Sequence, residues 1–139
     1  MFSIREIADT DLPFIYSSWL DCIRHNSPWA RGIPNDLFYK KHHDIIERRL
    51  STGVANILCL TDDPDVIFGY GIIHTPTILD MIYVKADCRR QGLANSIIND
   101  LGIDLTEPLT LTFNTKDLYS YMRSHPDKRF TLNPYLLNV

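Results

Sequence analysis

Strands are predicted where apolar residues alternate with polar ones or follow one another without helical spacing. Apolar and polar side chains alternate over residues 2–7, which is the period of a half-buried strand. Residues 78–84 are instead rich in β-branched, aromatic and other apolar side chains, as is typical of a buried strand. In full, strands are predicted over residues 2–7, 54–60, 66–74, 78–84, 109–113 and 130–132, with 135–137 as a further short candidate.

Helices are predicted where apolar residues recur every three or four positions. From Leu12 to Ile23 this spacing is regular, and the aspartates that precede it offer N-cap chemistry. The second helix is predicted to keep its charged residues, Arg49 included, mainly away from its apolar side, which is formed by Leu37, Tyr39, His43, Ile46 and Leu50. In full, helices are predicted over residues 12–24, 36–50, 94–101 and 116–123.

The predicted order of elements is β-α-α-β-β-β-α-β-α-β, which indicates an α/β fold with a mixed sheet. The 139 residues suit a single domain, 1–139, with a core of its own. A turn at residues 62–65 is expected to join two neighbouring strands into a hairpin. Residues 25–35 contain two prolines and a glycine and are predicted to form a loop, whose Trp29 and Arg31 are candidates for contact with a substrate.

Composition and charge narrow the class of protein. A formal net charge of -3 argues against general binding to nucleic acid or to anionic membranes. The three cysteines are far apart and form no C-x-x-C pair, which favours a reducing compartment. No apolar run reaches membrane-spanning length, and the N-terminus lacks the features of a secretion signal. We therefore expect a soluble cytoplasmic protein. We expect no metal, because the adjacent His42 and His43 point about 100° apart on a helix.

A basic turn that contains a glycine joins the strand over residues 78–84 to the helix over 94–101. Arg89 and Arg90 supply positive charge, and the N–H groups at a helix start add partial charge, so a phosphate or diphosphate would be stabilised there. Gly92 would let the backbone approach such an anion without a Cβ in the way. Taken alone, the motif fits equally well with a basic turn that only caps a surface helix.

The pattern V-K-x-x-x-R-x-x-G-x-A over residues 84–94 resembles the acetyl-CoA diphosphate signature of the GNAT superfamily of N-acetyltransferases. The order of the elements resembles that family over nearly the whole chain, with the basic turn after the fourth strand. This resemblance implies a GNAT-like fold and transfer of an acetyl group to a primary amine of a small molecule or protein. Residues 13–20 and 42–47 resemble small members encoded by bacterial viruses, which would act in the host cytoplasm.

The resemblance also implies a set of binding residues for acetyl-CoA as co-substrate. Backbone groups of Ile82, Tyr83 and Val84 would hold the pantetheine and acetyl ends, and an N–H near Tyr83 would polarise the thioester carbonyl. The remaining residues for acetyl-CoA would be Arg89, Arg90, Gln91, Gly92, Leu93, Ala94, Asn95 and Asn114. The acceptor would contact Trp29, Arg31 and His74.

The chemistry needs a base and an acid. An alkyl ammonium has a pKa near ~10.4, so the amine must lose a proton before it attacks. The resemblance makes Asp80 the candidate base, directly or through a water, with His74 as second choice; an aspartate paired with a neighbour is the equal alternative. For the acid that protonates the CoA thiolate, the resemblance offers Tyr119 and Tyr121 without separating them. Helical residues two apart face different ways, so at most one should reach the sulfur.

Three features depart from the family pattern. Ala94 stands where the third small residue is often glycine, and residues 125–130 replace the Gly-Phe that usually follows the tyrosine. The C-terminal tail is short for two further strands, so the acceptor wall could be completed by a second subunit in a homodimer. The missing Gly-Phe, together with a base that the sequence leaves open, favours the alternative function, a GNAT-fold binding module without turnover, such as a viral effector that engages a host protein.

Overall fold

The computed structural model describes residues 1–89, 92–104, 106–113 and 115–138. The strands are β1 (Phe2–Glu6), β2 (Val54–Leu60), β3 (Asp63–Thr75), β4 (Ile78–Val84), β5 (Leu109–Leu111) and β6 (Phe130–Leu132). The α-helices are α1 (Leu12–Asn26), α2 (Asn35–Thr52), α3 (Leu93–Leu101) and α4 (Lys116–Ser124). This is the predicted order, and the predicted mixed α/β fold is confirmed. In the described part of the chain, no helix is both long enough and apolar enough to cross a membrane.

The described strands form one sheet in the order β1-β2-β3-β4-β5-β6. The pairs from β1 to β4 are antiparallel, and β5 and β6 continue the sheet in parallel. The predicted hairpin is β2–β3, although its turn is tighter than expected, because Leu60 already pairs with Asp63. The sheet therefore changes from antiparallel to parallel at β4, the strand that precedes the basic turn.

The helices cover the two faces of the sheet in pairs. Side chains of α1 and α2 pack in one hydrophobic cluster with Ile72 of β3. Side chains of α3 and α4 pack in a second cluster with Ile73, the next residue of the same strand. Because neighbouring strand residues face opposite sides, the two helix pairs lie on opposite faces of the sheet.

The α2 helix buries a different side from the predicted one. The buried residues are Phe38, His42, Ile46 and Arg49, whereas Leu37 and Tyr39 are about half exposed and His43 is exposed. The predicted and observed sides are only about 100° apart, since they start at adjacent positions. The contacts of α2 with the sheet decide between them, and they include a buried arginine that a hydrophobic pattern does not register.

Gly71 and Asn56 hold α3 close to the sheet. A Cβ at Gly71 would collide with side-chain atoms of Ile97 and Leu101, so the helix packs directly onto the backbone of β3. The Asn56 amide donates to the carbonyl of Ile97 at 3.1 Å and accepts from the Gly71 N–H at 3.1 Å. These contacts fix the position of α3, and with it the position of its N-terminus.

The C-terminal tail is a 3-10 helix over Pro134–Asn138, so the short strand predicted at residues 135–137 is wrong. Its carbonyl groups point to α2: Arg49 donates to the carbonyl of Leu136, and Arg48 to that of Leu137, both at 3.3 Å. Since strand hydrogen bonding would need these same groups, the arginines of α2 favour the helical turn.

Candidate active site

The pairing between β4 and β5 stops well before β4 ends. Ile78 pairs with Thr110 and Leu79 with Leu111, and the Thr112 N–H still donates to the Leu79 carbonyl at 3.2 Å. The regular part of β5 ends at Leu111, two residues earlier than predicted, while β4 extends as far as Val84. The residues predicted to contact pantetheine, at positions 82–84, lie in this extension of β4.

A pocket of about 490 Å³ lies beside this extension and is called here the α3–α4 pocket. It brings together the end of β4, the start of α3 and one side of α4. Its lining residues are Val84, Cys88, Arg89, Gly92, Leu93, Ala94, Asn95, Ser120, Tyr121 and Ser124. Most of the described residues that were predicted to bind acetyl-CoA therefore share one cavity with one of the two candidate tyrosines. The predicted residues Arg90, Gln91 and Asn114 lie outside the described residues.

The N-terminus of α3 has the geometry of an anion site. Gly92 precedes the helix with φ of 72°, a left-handed conformation that glycine adopts without strain. The Ser96 N–H makes a bond of the first helical turn, to the Gly92 carbonyl at 3.3 Å, so the N–H groups of Leu93 to Asn95 lie ahead of it. Arg89 adds charge to the same wall, and its Nε donates to the Val84 carbonyl at 3.0 Å. The guanidinium is thus bonded to the end of the strand and lines the same pocket as the helix start.

Only one of the two candidate tyrosines lines the α3–α4 pocket. Tyr121 is 4% exposed, and its ring packs against His125 and Phe130 with centroids 4.2 and 5.8 Å away. Tyr119 is 53% exposed, and its ring lies under the guanidinium of Arg123 at 5.7 Å. The two side chains face different ways, as predicted, and the geometry favours Tyr121 as the candidate acid.

Asp80 is part of a buried ion pair. Its side chain is 0% exposed, and its two carboxylate oxygens accept from Nε and Nη2 of Arg49 at 2.9 and 2.8 Å. The Thr112 hydroxyl donates to the same carboxylate at 2.7 Å. Both alternatives were open from the sequence, and this geometry favours the paired aspartate. A role for Asp80 as base stays a prediction that the contacts do not support.

A β-bulge explains where the Asp80 side chain points. Ile72 of β3 pairs with Met81, and Ile73 pairs with Leu79, so Asp80 is the extra residue between two pairs. A bulge of this kind changes the direction of the side chain that it carries. Leu79 belongs to the cluster under α3, whereas Met81 belongs to the cluster under α2, and Asp80 reaches Arg49 of α2. Neither Arg49 nor Thr112 could be recognised as its partner from the sequence, since both are remote along the chain.

His74 lies away from the α3–α4 pocket. It belongs to the part of β3 that pairs with Ile78 and Leu79 at the start of β4, whereas the pocket lies at Val84. Five residues of strand at ~3.3 Å each separate Leu79 from Val84, which is roughly 16 Å. The structure therefore does not bring His74 to the candidate acid.

Trp29 and Arg31 lie in a 3-10 helix, Pro28–Gly32, next to α2. Trp29 is exposed, with its ring centroid 5.9 Å from that of His42, and Arg31 donates to the His25 carbonyl at 3.3 Å. Burial lowers the pKa of the His42 imidazole below its ordinary value. Contact of Trp29 and Arg31 with a substrate stays a prediction.

A second pocket, of about 370 Å³, lies on the opposite face of the sheet and is called here the α1–α2 pocket. Its lining residues are Phe14, Ser17, Ser18, Leu20, Asp21, Tyr39 and Tyr83. Tyr83 adjoins Val84 of the α3–α4 pocket, and successive strand residues face opposite sides, so the end of β4 separates the two pockets. The part of this wall that α1 supplies was not predicted from the sequence. The pattern that could have predicted it is a helical stripe at positions 14, 17, 18 and 21, which combines an aromatic ring with polar side chains.

One group of side chains in the described residues could offer ligands to a metal ion. Ligand atoms of His43, Asp44 and Glu47 lie within 4.8 Å of one another on the exposed side of α2. The His43 ring is stacked on Tyr16, with centroids 4.3 Å apart. Exposed acidic groups of this kind are common without an ion, and no role is assigned to the group.

Comparison with known proteins identifies the family. Residues 31–117, more than half of the chain, match the family model of the acetyltransferase (GNAT) domain. Among curated proteins, none matches this sequence. A GCN5-related N-acetyltransferase from Rhodopseudomonas palustris has a similar structure, with a TM-score of 0.59 at 16% identity over 88% of this chain and 79% of that one. A protein from Clostridium difficile 630 described as a possible acetyltransferase gives 0.58 at 14% identity, over 96% and 93% of the two chains.

At such identities the solved structures show a shared fold, and the family model extends the likeness to the sequence itself. Both agree with the family predicted from the basic turn and the order of elements. The chain belongs to the GNAT acetyltransferase family and is a GNAT-type N-acetyltransferase.

Proposed function

We propose that the protein transfers the acetyl group of acetyl-CoA, bound in the α3–α4 pocket, to a primary amine of a small molecule or protein that enters from the α1–α2 pocket. The observation that carries this proposal is that the end of β4, the N-terminus of α3, Arg89 and Tyr121 line one cavity. A ligand with a diphosphate at one end and a reactive thioester at the other suits such a cavity. The helix start favours the anion, and the tyrosine offers a proton donor.

The two ends of the donor would use different parts of the pocket. The diphosphate would lie at the start of α3, where the N–H groups of the first turn and the charge of Arg89 stabilise negative charge. The pantetheine would lie along the extension of β4 beyond β5, in the manner of an added strand. The thioester would then lie near the end of β4, between the two pockets.

The acceptor pocket has features that suit a protonated amine. The aromatic rings of Phe14 and Tyr83 lie 5.8 Å apart in the wall of the α1–α2 pocket, and Asp21 adds a carboxylate. Aromatic faces and carboxylates both attract organic cations. An acceptor there would approach the thioester from the face of the sheet opposite the diphosphate, with Trp29 and Arg31 as further predicted contacts.

In the reaction, the amine nitrogen would attack the thioester carbon, so that an N–C bond forms and the C–S bond breaks. Backbone N–H groups at the end of β4 would stabilise the oxyanion that develops. Tyr121 would give its proton to the departing CoA thiolate. Because Arg49 and Thr112 hold Asp80, we propose a water in the α1–α2 pocket as the first acceptor of the amine proton, with Asp80 as the less favoured base.

Release of free thiol from acetyl-CoA, measured against a panel of polyamines, amino acids and peptides, tests this proposal. The Arg89→Glu variant should raise the KM for acetyl-CoA roughly 10- to 150-fold, because a charge-assisted contact to phosphate contributes about 1.5–3 kcal/mol. The matched control Lys41→Glu makes the same charge change on an exposed part of α2 and should leave the KM unaltered. If the Arg89→Glu variant and the wild type bound acetyl-CoA with equal affinity, the proposed position of the diphosphate at the start of α3 would be wrong.

The second candidate function is a GNAT-fold binding module without turnover, and the ion pair of Asp80 favours it because this pair occupies the predicted base. Binding of acetyl-CoA by calorimetry without thiol release for any amine would support the module.

We also propose a cytoplasmic place of action, since three scattered cysteines are typical of reducing compartments. A homodimer and an origin in a bacterial virus stay predictions.

A further inference from the structure

Lys128 contacts the hydroxyl of the candidate acid. Its Nζ donates to the Tyr121 Oη at 3.1 Å, and the same ammonium lies 5.6 Å from the centroid of the Tyr121 ring. Lys128 belongs to the segment over residues 125–130 that follows α4, where the family pattern would have Gly-Phe. The segment that departs from the family pattern is therefore the one that reaches Tyr121.

Backbone hydrogen bonds hold this lysine in place. The Lys128 N–H donates to the His125 carbonyl at 3.1 Å, and the carbonyl of the next residue, Arg129, accepts from the Leu109 N–H at 2.9 Å. The His125 and Phe130 rings pack on two sides of Tyr121. The phenol is thus enclosed by one short segment that is itself fastened to the start of β5.

The direction of the hydrogen bond matters for proton transfer. An ammonium has only donors, so the Tyr121 oxygen must accept from Lys128, and its own hydrogen must point to another acceptor. The ring lines the α3–α4 pocket, where the CoA sulfur would be. Once the phenol has given up its proton, its oxygen carries negative charge next to the ammonium, and the attraction between them favours that state.

We propose that Lys128 is a positioning residue for acetyl transfer: it orients the hydroxyl of Tyr121 toward the departing CoA thiolate and stabilises the phenolate that the proton transfer leaves. This inference rests on the proposed function. The charge of Lys128 counts only after the proton has begun to move. The lysine should therefore affect kcat, and the KM for acetyl-CoA should stay near the wild-type value.

The test measures thiol release for three variants of Lys128 and one control. Lys128→Met should lower kcat about 10-fold or more, which is part of the ~10²–10⁴-fold effect of a general acid, and should change the KM for acetyl-CoA less than twofold. Lys128→Gln, which keeps a hydrogen-bond donor without the charge, should lower kcat by nearly the same factor. Lys128→Arg, which keeps both, should recover most of kcat. Arg129→Met, an exposed neighbour, is the matched control and should retain wild-type kcat.

The decisive comparison uses Tyr121→Phe as background. There the Lys128→Met change should cause no further loss of kcat, because its target hydroxyl is gone; a merely structural lysine would cost the same in both backgrounds. An unchanged kcat in Lys128→Met, an equal loss in the Tyr121→Phe background, or a failure of Lys128→Arg to recover would each overturn the inference while the wild type still turns over. A wild type that binds acetyl-CoA but releases no thiol would overturn the proposed function and this inference with it.

Discussion

The ion pair between Arg49 and Asp80 provides the sharpest test of how this site is built. Asp80 is 0% exposed and Arg49 is 2% exposed, and two hydrogen bonds of 2.9 and 2.8 Å join them. The substitution Asp80→Asn keeps the shape of the side chain but leaves the guanidinium buried without its counter-charge. Removal of one partner from a buried pair costs about 3–5 kcal/mol, because the remaining charge has lost its solvation without compensation.

The expected loss is large enough to measure by thermal unfolding. Unfolding entropy of about 2.1 cal/mol/K per residue near 60 °C gives, for 139 residues, a fall in Tm of roughly 10–17 °C. The reciprocal variant Arg49→Met should show a similar fall in Tm. The double variant should be less destabilised than the sum of the two, because it leaves no unpaired charge. Asp65→Asn, at an exposed position of β3, is the control and should stay within about 0.5 kcal/mol of the wild type.

The same variants decide between the two roles of Asp80. If the pair is structural, the Asp80→Asn variant should lose stability. Its rate of acetyl transfer, assayed well below the lowered Tm, should stay a substantial part of the wild-type rate. A catalytic base predicts the reverse, with an almost unchanged Tm and an abolished kcat. That second pattern would refute the reasoning from the buried contacts.

Three further outcomes are expected. The Tyr121→Phe substitution should lower kcat for acetyl transfer roughly 10²-fold or more, whereas Tyr119→Phe, at the exposed site two residues away, should not change it; thiol-release kinetics would contradict this if the two variants behaved alike. Burial lowers the pKa of His42 in the folded protein, so the unfolded chain takes up a proton more readily than the folded one. The neutral, buried imidazole therefore contributes stability above the ordinary pKa of ~6.5, and this contribution is lost as pH falls through the folded pKa. The fall in Tm between pH 7.5 and 5 should accordingly be smaller in His42→Gln than in the exposed control His25→Gln. Finally, Gly71→Ala would overpack the contact between β3 and α3 and should destabilise by about 1–3 kcal/mol in urea unfolding, which an unchanged midpoint would contradict.

The sequence by itself determined the order of elements and the corner where the donor is proposed to bind. A strand that ends at Val84, a basic turn that contains Gly92 and a helix close behind it are features of neighbouring residues, so local periodicity and the position of one glycine suffice to predict them. The grouping of these residues around one pocket followed, because a strand and the helix after it keep their ends together. For α4, the sequence predicted that Tyr119 or Tyr121 would face these residues, but it did not predict which one.

Only the tertiary structure decided which of those side chains meet. The partner of Asp80 depends on a bulge in β4 and on a packing of α2 that turns Arg49 inward; a shift of one residue reverses the direction of a strand side chain, and no alternation pattern reports it. The choice of Tyr121 and its contact with Lys128 depend on how the segment after α4 is fastened to β5, through hydrogen bonds between residues far apart in the chain. Such contacts form between surfaces that are assembled only when the sheet and its helices are packed, so the sequence could name the chemical groups but not their neighbours.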